Sequence, residues 1–233
     1  MNSTKTFLKF FAACLYCINV SFALDLALVK ENLLKKTREH SGLDIVEEGV
    51  GFVENKVFNH KTYVFVIAEV GGYESEVSKF EDFFSCINVL QTDKIIFDYC
   101  DKGIMRIQTK GNFWTLQSQS IEYASVESYR HVSYLTFRLI NDTFYLHQFS
   151  YNNYIFDRIC DSIDEQLLVS NIYYRQPRDD PKKENLIPLD FANEALFSEM
   201  IDRYCERGLC QEVDWEVVQE LRNKGFNCEE TDE

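Results

Sequence analysis

The chain has 233 residues, and its 24 lysines and arginines face 38 aspartates and glutamates, a formal net charge of −14. So acidic a balance argues against nucleic acid and anionic membrane surfaces as partners, because both need basic groups to neutralise phosphate. A hydrophobic share of 45% and an aromatic share of 15% exclude wholesale disorder, and 9 Gly with 3 Pro exclude a collagen-like or low-complexity chain.

Residues 1–23 read MNSTKTFLKFFAACLYCINVSFA. Lys5 and Lys9 precede an apolar run from Phe10 to Val20, and Ser21-Phe22-Ala23 sets small residues around a cleavage point after Ala23. The run is short and interrupted for a bilayer span. A signal peptide is the expectation, with a secreted, extracellular product that keeps no membrane contact after cleavage. Cys14 and Cys17 leave with it, and Cys86, Cys100, Cys160, Cys205, Cys210 and Cys228 remain. An even number in an oxidising compartment points to three disulfides. A metal site is not expected, since there is no C-x-x-C pair and His40, His60, His131 and His147 are scattered. Asn141-Asp142-Thr143 is a glycosylation acceptor in such a chain.

From Leu24 to about residue 43 the apolar positions Leu26, Val29 and Leu33 predict a short helix ending near Gly42. Over about 44–175 the pattern changes to short runs rich in Val, Ile, Phe, Tyr and Thr between Gly, Asp and Asn clusters. The predicted strands are 62–70, 87–91, 95–100, 104–109, 114–125, 133–140, 143–149, 154–160 and 166–175. Leu135, Phe137 and Leu139 share one face, and Phe97 and Tyr99 share another. Short connections with no intervening helix predict an antiparallel meander. Eight or nine such strands are expected to close into an up-and-down barrel, because closure removes exposed edges. The predicted fold class is therefore mostly β, an antiparallel barrel with a short N-terminal helix and C-terminal helices. Pro177, Pro181 and Pro188 place an exposed linker over about 176–190. A helical segment follows over 191–233. In it Phe197, Met200, Ile201 and Tyr204 form one stripe before Gly208, and Trp215, Val218 and Leu221 form a second between Asp214 and Gly225.

Several segments, taken in order, resemble the lipocalin family. Tyr151-x-x-Tyr154 running on to Cys160 is similar to its second motif, with Phe149-Ser150 where the family has Thr-Asp. Tyr174-Arg175-Gln176-Pro177 resembles its third motif, Ser-Arg-x-Pro. Phe58-Asn59 with Tyr63 and Glu69 resembles its opening. Phe80-Glu81 with Cys86-Ile87, and Phe226-Asn227-Cys228, resemble stretches of apolipoprotein D-like members. Two departures stand out. Phe65-Val66-Ile67 replaces the family's Gly-x-Trp, and no cysteine in 24–85 matches the family's N-terminal partner of the one placed at Cys160.

The resemblance implies a carrier of a small hydrophobic molecule such as a lipid, retinoid or pigment, with no cofactor and no catalysis. It implies that Arg175 closes the barrel base and that Tyr151 and Tyr154 are structural. If Arg175 points inward, parity places Tyr173, Asn171, Val169 and Leu167 on its face. Tyr173, Asn171 and Val169, with Leu135, Phe137, Phe97 and Tyr99, are the candidate ligand contacts, although large aromatics plug a barrel as readily as they line it. The resemblance pairs Cys86 with Cys228. Cys100–Cys160 and Cys205–Cys210 complete the expected set, with the late helices as an alternative partner for Cys160. No catalytic motif is present. The competing reading is a secreted interaction protein that uses the barrel as a scaffold for a protein partner.

Overall fold

The computed structural model describes residues 26–73, 82–92, 94–123, 127–157, 165–177 and 186–224. The leader, Cys160 and Cys228 lie outside these residues. Among the described residues no helix is long and apolar enough to cross a membrane.

The protein is mostly β. Helix α1 (26–41) leads into four strands, β1 (Asp44–Phe58), β2 (Lys61–Tyr73), β3 (Asp82–Gln91) and β4 (Lys94–Lys102). Five more follow: β5 (Ile104–Lys110), β6 (Phe113–Tyr123), β7 (Glu127–Ile140), β8 (Thr143–Asp157) and β9 (Gln166–Arg175). A short 3₁₀ turn (Leu189–Phe191) precedes α2 (Glu194–Glu206) and α3 (Trp215–Lys224). The strands form two antiparallel sheets in sequence order, β1-β2-β3-β4 and β5-β6-β7-β8-β9. Among the described residues no ladder joins β4 to β5 or β1 to β9, so the expected closure into one barrel is not found.

β2 explains why the first sheet is sandwiched. Its run Tyr63-Val64-Phe65-Val66-Ile67-Ala68 is buried throughout, as expected of a strand covered on both faces. Tyr63, Phe65 and Ile67 enter the main core, whereas Val64, Val66 and Ala68 meet Leu33 of α1, with Leu26 and Val29 packed alongside. The helix stripe read from the sequence is the stripe that seals the outer face of this sheet. Gly42 ends α1 at φ 64°, and Lys36 pairs with Asp98 of β4 at 2.6 Å.

The inner faces of the two sheets share one core. Trp114 is fully buried at its centre, stacked on Phe137 at 4.4 Å and set edge-on to Phe65 at 5.2 Å and Phe97 at 5.8 Å. At one end the β1–β2 and β7–β8 hairpins meet. Their tips, Asn59-His60 and Asn141-Asp142, both turn with positive φ, the two-residue geometry that Asn and Asp tolerate. Asn59 donates to the Asp142 carboxylate, and Phe58, Tyr63 and Phe144 pack beneath with centroids 5.1–5.8 Å apart. Asn141 is exposed at this tip.

A single residue, Gly103, carries the chain from β4 of the first sheet to β5 of the second. Its φ is 101°, and its N–H donates to the Phe83 carbonyl. Beyond β9, the end of the proline segment does not run free. Leu146 N–H donates to the Ile187 carbonyl at 2.8 Å, and Pro188 bridges Tyr145.

The cysteine pairing corrects the sequence reading. Cys86 is bonded to Cys100, with Cα atoms 4.1 Å apart, so neither Cys86–Cys228 nor Cys100–Cys160 forms. The cause is register. Residues 86 and 100 are directly opposite on β3 and β4, and both point toward α1. Cys205–Cys210 is present, across the turn that ends α2. The Cys86–Cys100 loop spans a sequence separation of 14. Replacing both residues with alanine is expected to cost roughly 3 kcal/mol in the chain-entropy account, read as a lower urea midpoint.

A polar-floored cavity between the sheets

The inner face of the second sheet changes character in rows. Leu116, Leu135 and Phe149 lie side by side across β6, β7 and β8 and are buried in the core. Two residues further along each strand, the next row is Ser118, Ser133, Tyr151 and Asn171. The row after that is Ser120, His131, Asn153 and Val169. Serine fills far less space than leucine or phenylalanine, so the sheets that touch through Trp114 leave room here. The result is a cavity of about 310 Å³ bounded by Ser118, Ser120, His131, Ser133, Phe149, Tyr151 and Tyr173 on one side and by Tyr99, Asp101 and Lys102 of β4 on the other.

α2 roofs this space. Asn193 caps it by accepting from Leu196 N–H at 3.0 Å. Its stripe then faces the sheets: Phe197 lies 5.5 Å from Tyr99 and 5.1 Å from Phe149, and Tyr204 lies 5.3 Å from Tyr173. Ile201 completes the cavity wall. α3 packs further along the same face, where Val218 and Leu221 meet Tyr129 and Ile155. Asp214 caps α3 through Glu216 N–H, but Trp215 stays 61% exposed.

Asp101 is the central polar group. Its carboxylate accepts from Ser133 Oγ at 3.1 Å, from the Tyr99 hydroxyl at 3.3 Å and from Lys102 N–H at 2.9 Å. Burial raises its pKa above the ordinary carboxylate value, against the pull of these donors. Burial, and secondarily the charge on Asp101, push Tyr99 well above 10. Tyr151 is raised to about 12, first by burial and then by Tyr173 and Glu122. The Tyr151 hydroxyl lies 2.6 Å from His131 Nδ1, and His131 Nε2 lies 3.4 Å from the Glu122 carboxylate. His131 is thus committed to Tyr151 and Glu122 rather than to a serine, and the arrangement is one that receives a ligand's polar groups.

The residues named from sequence scatter over this frame. Tyr99 and Tyr173 line the cavity. Phe97, Leu135 and Phe137 lie in the packed core below it, with Leu139. Val169 is buried at 3% exposure, and Leu167 is 53% exposed beyond a register shift in β9. Asn171 fastens the Cys205–Cys210 loop: its amide donates to the Gln211 carbonyl at 3.2 Å and accepts from Gln211 N–H at 2.9 Å. Tyr151 lines the cavity, whereas Tyr154 lies under the Arg130 guanidinium at 4.4 Å. Arg175, expected to point inward, is exposed and borders a separate open groove beside α2. Asp101, Ser118 and Ser133 were not named from sequence, and His131 was named there only as one of four scattered histidines. The signal for them was present: Phe97 and Tyr99 continue by parity to Asp101, and Leu135 continues backward to Ser133 and His131. Comparison with known protein families, curated proteins and solved structures finds no match to this chain.

Proposed function

We propose that this chain is a secreted, lipocalin-like carrier of a small molecule, which it holds between its two antiparallel sheets under the C-terminal helix α2. The observation that carries the reading is the row of inward serines above a close-packed aromatic core. A scaffold with no ligand gains nothing from small polar residues facing inward, whereas a binding site needs the space and the hydrogen-bonding groups together. The sequential meander, the leader-like start and the disulfides Cys86–Cys100 and Cys205–Cys210 support it. The cavity volume sits at the low end for ligand pockets, which favours a compact molecule over a long acyl chain.

The test is organic extraction of the native secreted protein followed by mass spectrometry, with displacement of the neutral apolar dye N-phenyl-1-naphthylamine as the binding readout. A stoichiometric small molecule is the expected result. Ser133→Leu, which fills the cavity from its wall, is expected to abolish dye binding with the circular-dichroism spectrum unchanged. An empty extract and no dye binding at micromolar concentration would transfer the case to the protein-partner reading. The exposed Val46, Val53 and Val57 of β1, an edge strand among the described residues, are the surface that reading would use.

A further inference from the structure

We propose that the cavity selects a small organic cation, an aromatic or cyclic molecule with a short ammonium arm; this rests on the carrier reading and names its ligand class. Asp101 presents a carboxylate to the cavity, and the groups that hydrogen-bond to it are the hydroxyls of Ser118, Ser133 and Tyr99 and the Lys102 backbone amide, none of them a cation. The neighbouring Lys102 ammonium is directed to Asp82, at 3.6 Å. A carboxylate in this position is costly in the empty protein, as the upward shift of its pKa reflects, and an ammonium ligand supplies the missing counter-charge.

The walls fit the same ligand. Tyr99, Phe149, Tyr151 and Tyr173 surround the space with ring faces and edges, and aromatic faces attract a cation within about 6 Å of the ring centroid. The charges facing Asp101 from the surrounding elements do not oppose this. His131 on β7 is held between the Tyr151 hydroxyl on β8 and the Glu122 carboxylate, and the phenols of Tyr99, Tyr151 and Tyr173 are all held protonated by burial. Glu122 on β6 stands behind His131. Outside the cavity the formal net charge of −14 biases encounter toward cations and away from anions. A fatty acid or any other carboxylate is therefore the wrong ligand for this site, since it would bring a second negative charge against Asp101.

The experiment compares three probes of one shape, 2-phenylethylamine, 2-phenylethanol and 3-phenylpropanoate, by calorimetry on the full mature chain with its disulfides intact at pH 7.4. The amine is expected to bind at least tenfold more tightly than the alcohol, and the acid not to bind. In Asp101→Asn, a substitution that keeps the shape of the side chain, the preference for amine over alcohol is expected to vanish while the alcohol binds as before. Equal affinity of amine and alcohol in the parent protein overturns the inference and leaves the carrier reading standing. So does binding of the alcohol or of N-phenyl-1-naphthylamine without the amine. Retention of the amine preference in Asp101→Asn overturns the role of that carboxylate, and the parent-protein comparison holds even if the variant does not fold. No binding by any of these probes overturns both readings together.

Discussion

Replacing Gly103 with alanine is expected to cost about 4 kcal/mol or more, enough to remove most of the stability of an ordinary domain. Two effects combine at this residue. Its φ of 101° is a conformation that L side chains rarely adopt. A Cβ built there would also lie 2.1 Å from the Gln119 carbonyl oxygen and 2.8 Å from Ser120 N. Both are backbone atoms of β6, so relief requires moving a strand that is itself paired on both sides. The corner cannot shift independently, because Gly103 N–H is bonded to Phe83 and its carbonyl accepts from Ser85 Oγ at 2.6 Å. Gly42 supplies the control. It has a positive φ of 64° with nothing within 4 Å of a built Cβ, so Gly42→Ala is expected to cost only the conformational penalty of about 1 kcal/mol. Urea unfolding of the two variants separates clash from conformation: comparable losses would mean that the corner relaxes.

Much of the β architecture was legible because periodicity is local. β9 was read as 166–175 and is Gln166–Arg175, and the alternation in 133–140 continues through β7. The α2 stripe was legible for the same reason, since four large apolar residues at helical spacing need a surface to cover. β1 was missed. Its run DIVEEGVGFVENKVF carries acids and glycines, and two register shifts against β2 break the period-two signal. β8 was read as two strands, because Ser150-Tyr151-Asn152-Asn153 has turn composition. In the fold it is a central segment whose backbone pairs with both β7 and β9, so the composition has no turn to serve. Closure was not legible at all. Strand patterns specify neighbours, and whether the first and last strands meet depends on what occupies the seam. The pairing of Cys86 and Cys100 was missed in the same way, because a cross-strand pair is visible only once the β3–β4 register is known, whereas Cys205–Cys210 was legible from its short separation across a turn.

The candidate site was half legible, and the reason lies in what aromatic residues do. Large apolar side chains on inner faces were nominated as ligand contacts, but volume fills space. Phe97, Leu135 and Phe137 became core, and the cavity opened where the side chains were small. A serine at an inward parity position within an otherwise apolar face is the informative residue, because it marks both missing volume and a hydroxyl in need of a partner. Asp101 is the same kind of signal in stronger form, an ionisable group one step beyond Phe97 and Tyr99 on the buried face of β4.

The second large effect is expected at Trp114, and its pattern across substitutions tests whether the two sheets are held together by this one cluster. Trp114→Ala removes a fully buried ring that touches Phe65 of β2, Phe97 of β4, Phe137 of β7 and Phe144 of β8. Four strands from both sheets lose contacts at once, and the cavity left behind cannot collapse without bringing the sheets closer. The expected cost is about 3–5 kcal/mol. Trp114→Phe should cost much less than the lost ring area alone suggests. The Nε1–H of Trp114 is buried without a hydrogen-bond partner among the described residues, so phenylalanine deletes a donor that destabilises the folded state by about 1–3 kcal/mol when unsatisfied. The two terms oppose each other, and thermal unfolding is expected to place Trp114→Phe close to the parent and far above Trp114→Ala. If the phenylalanine variant falls as far as the alanine variant, shape complementarity at the indole outweighs the polar penalty. The sheets would then be held by the fit of that one ring rather than by the aromatic area it buries.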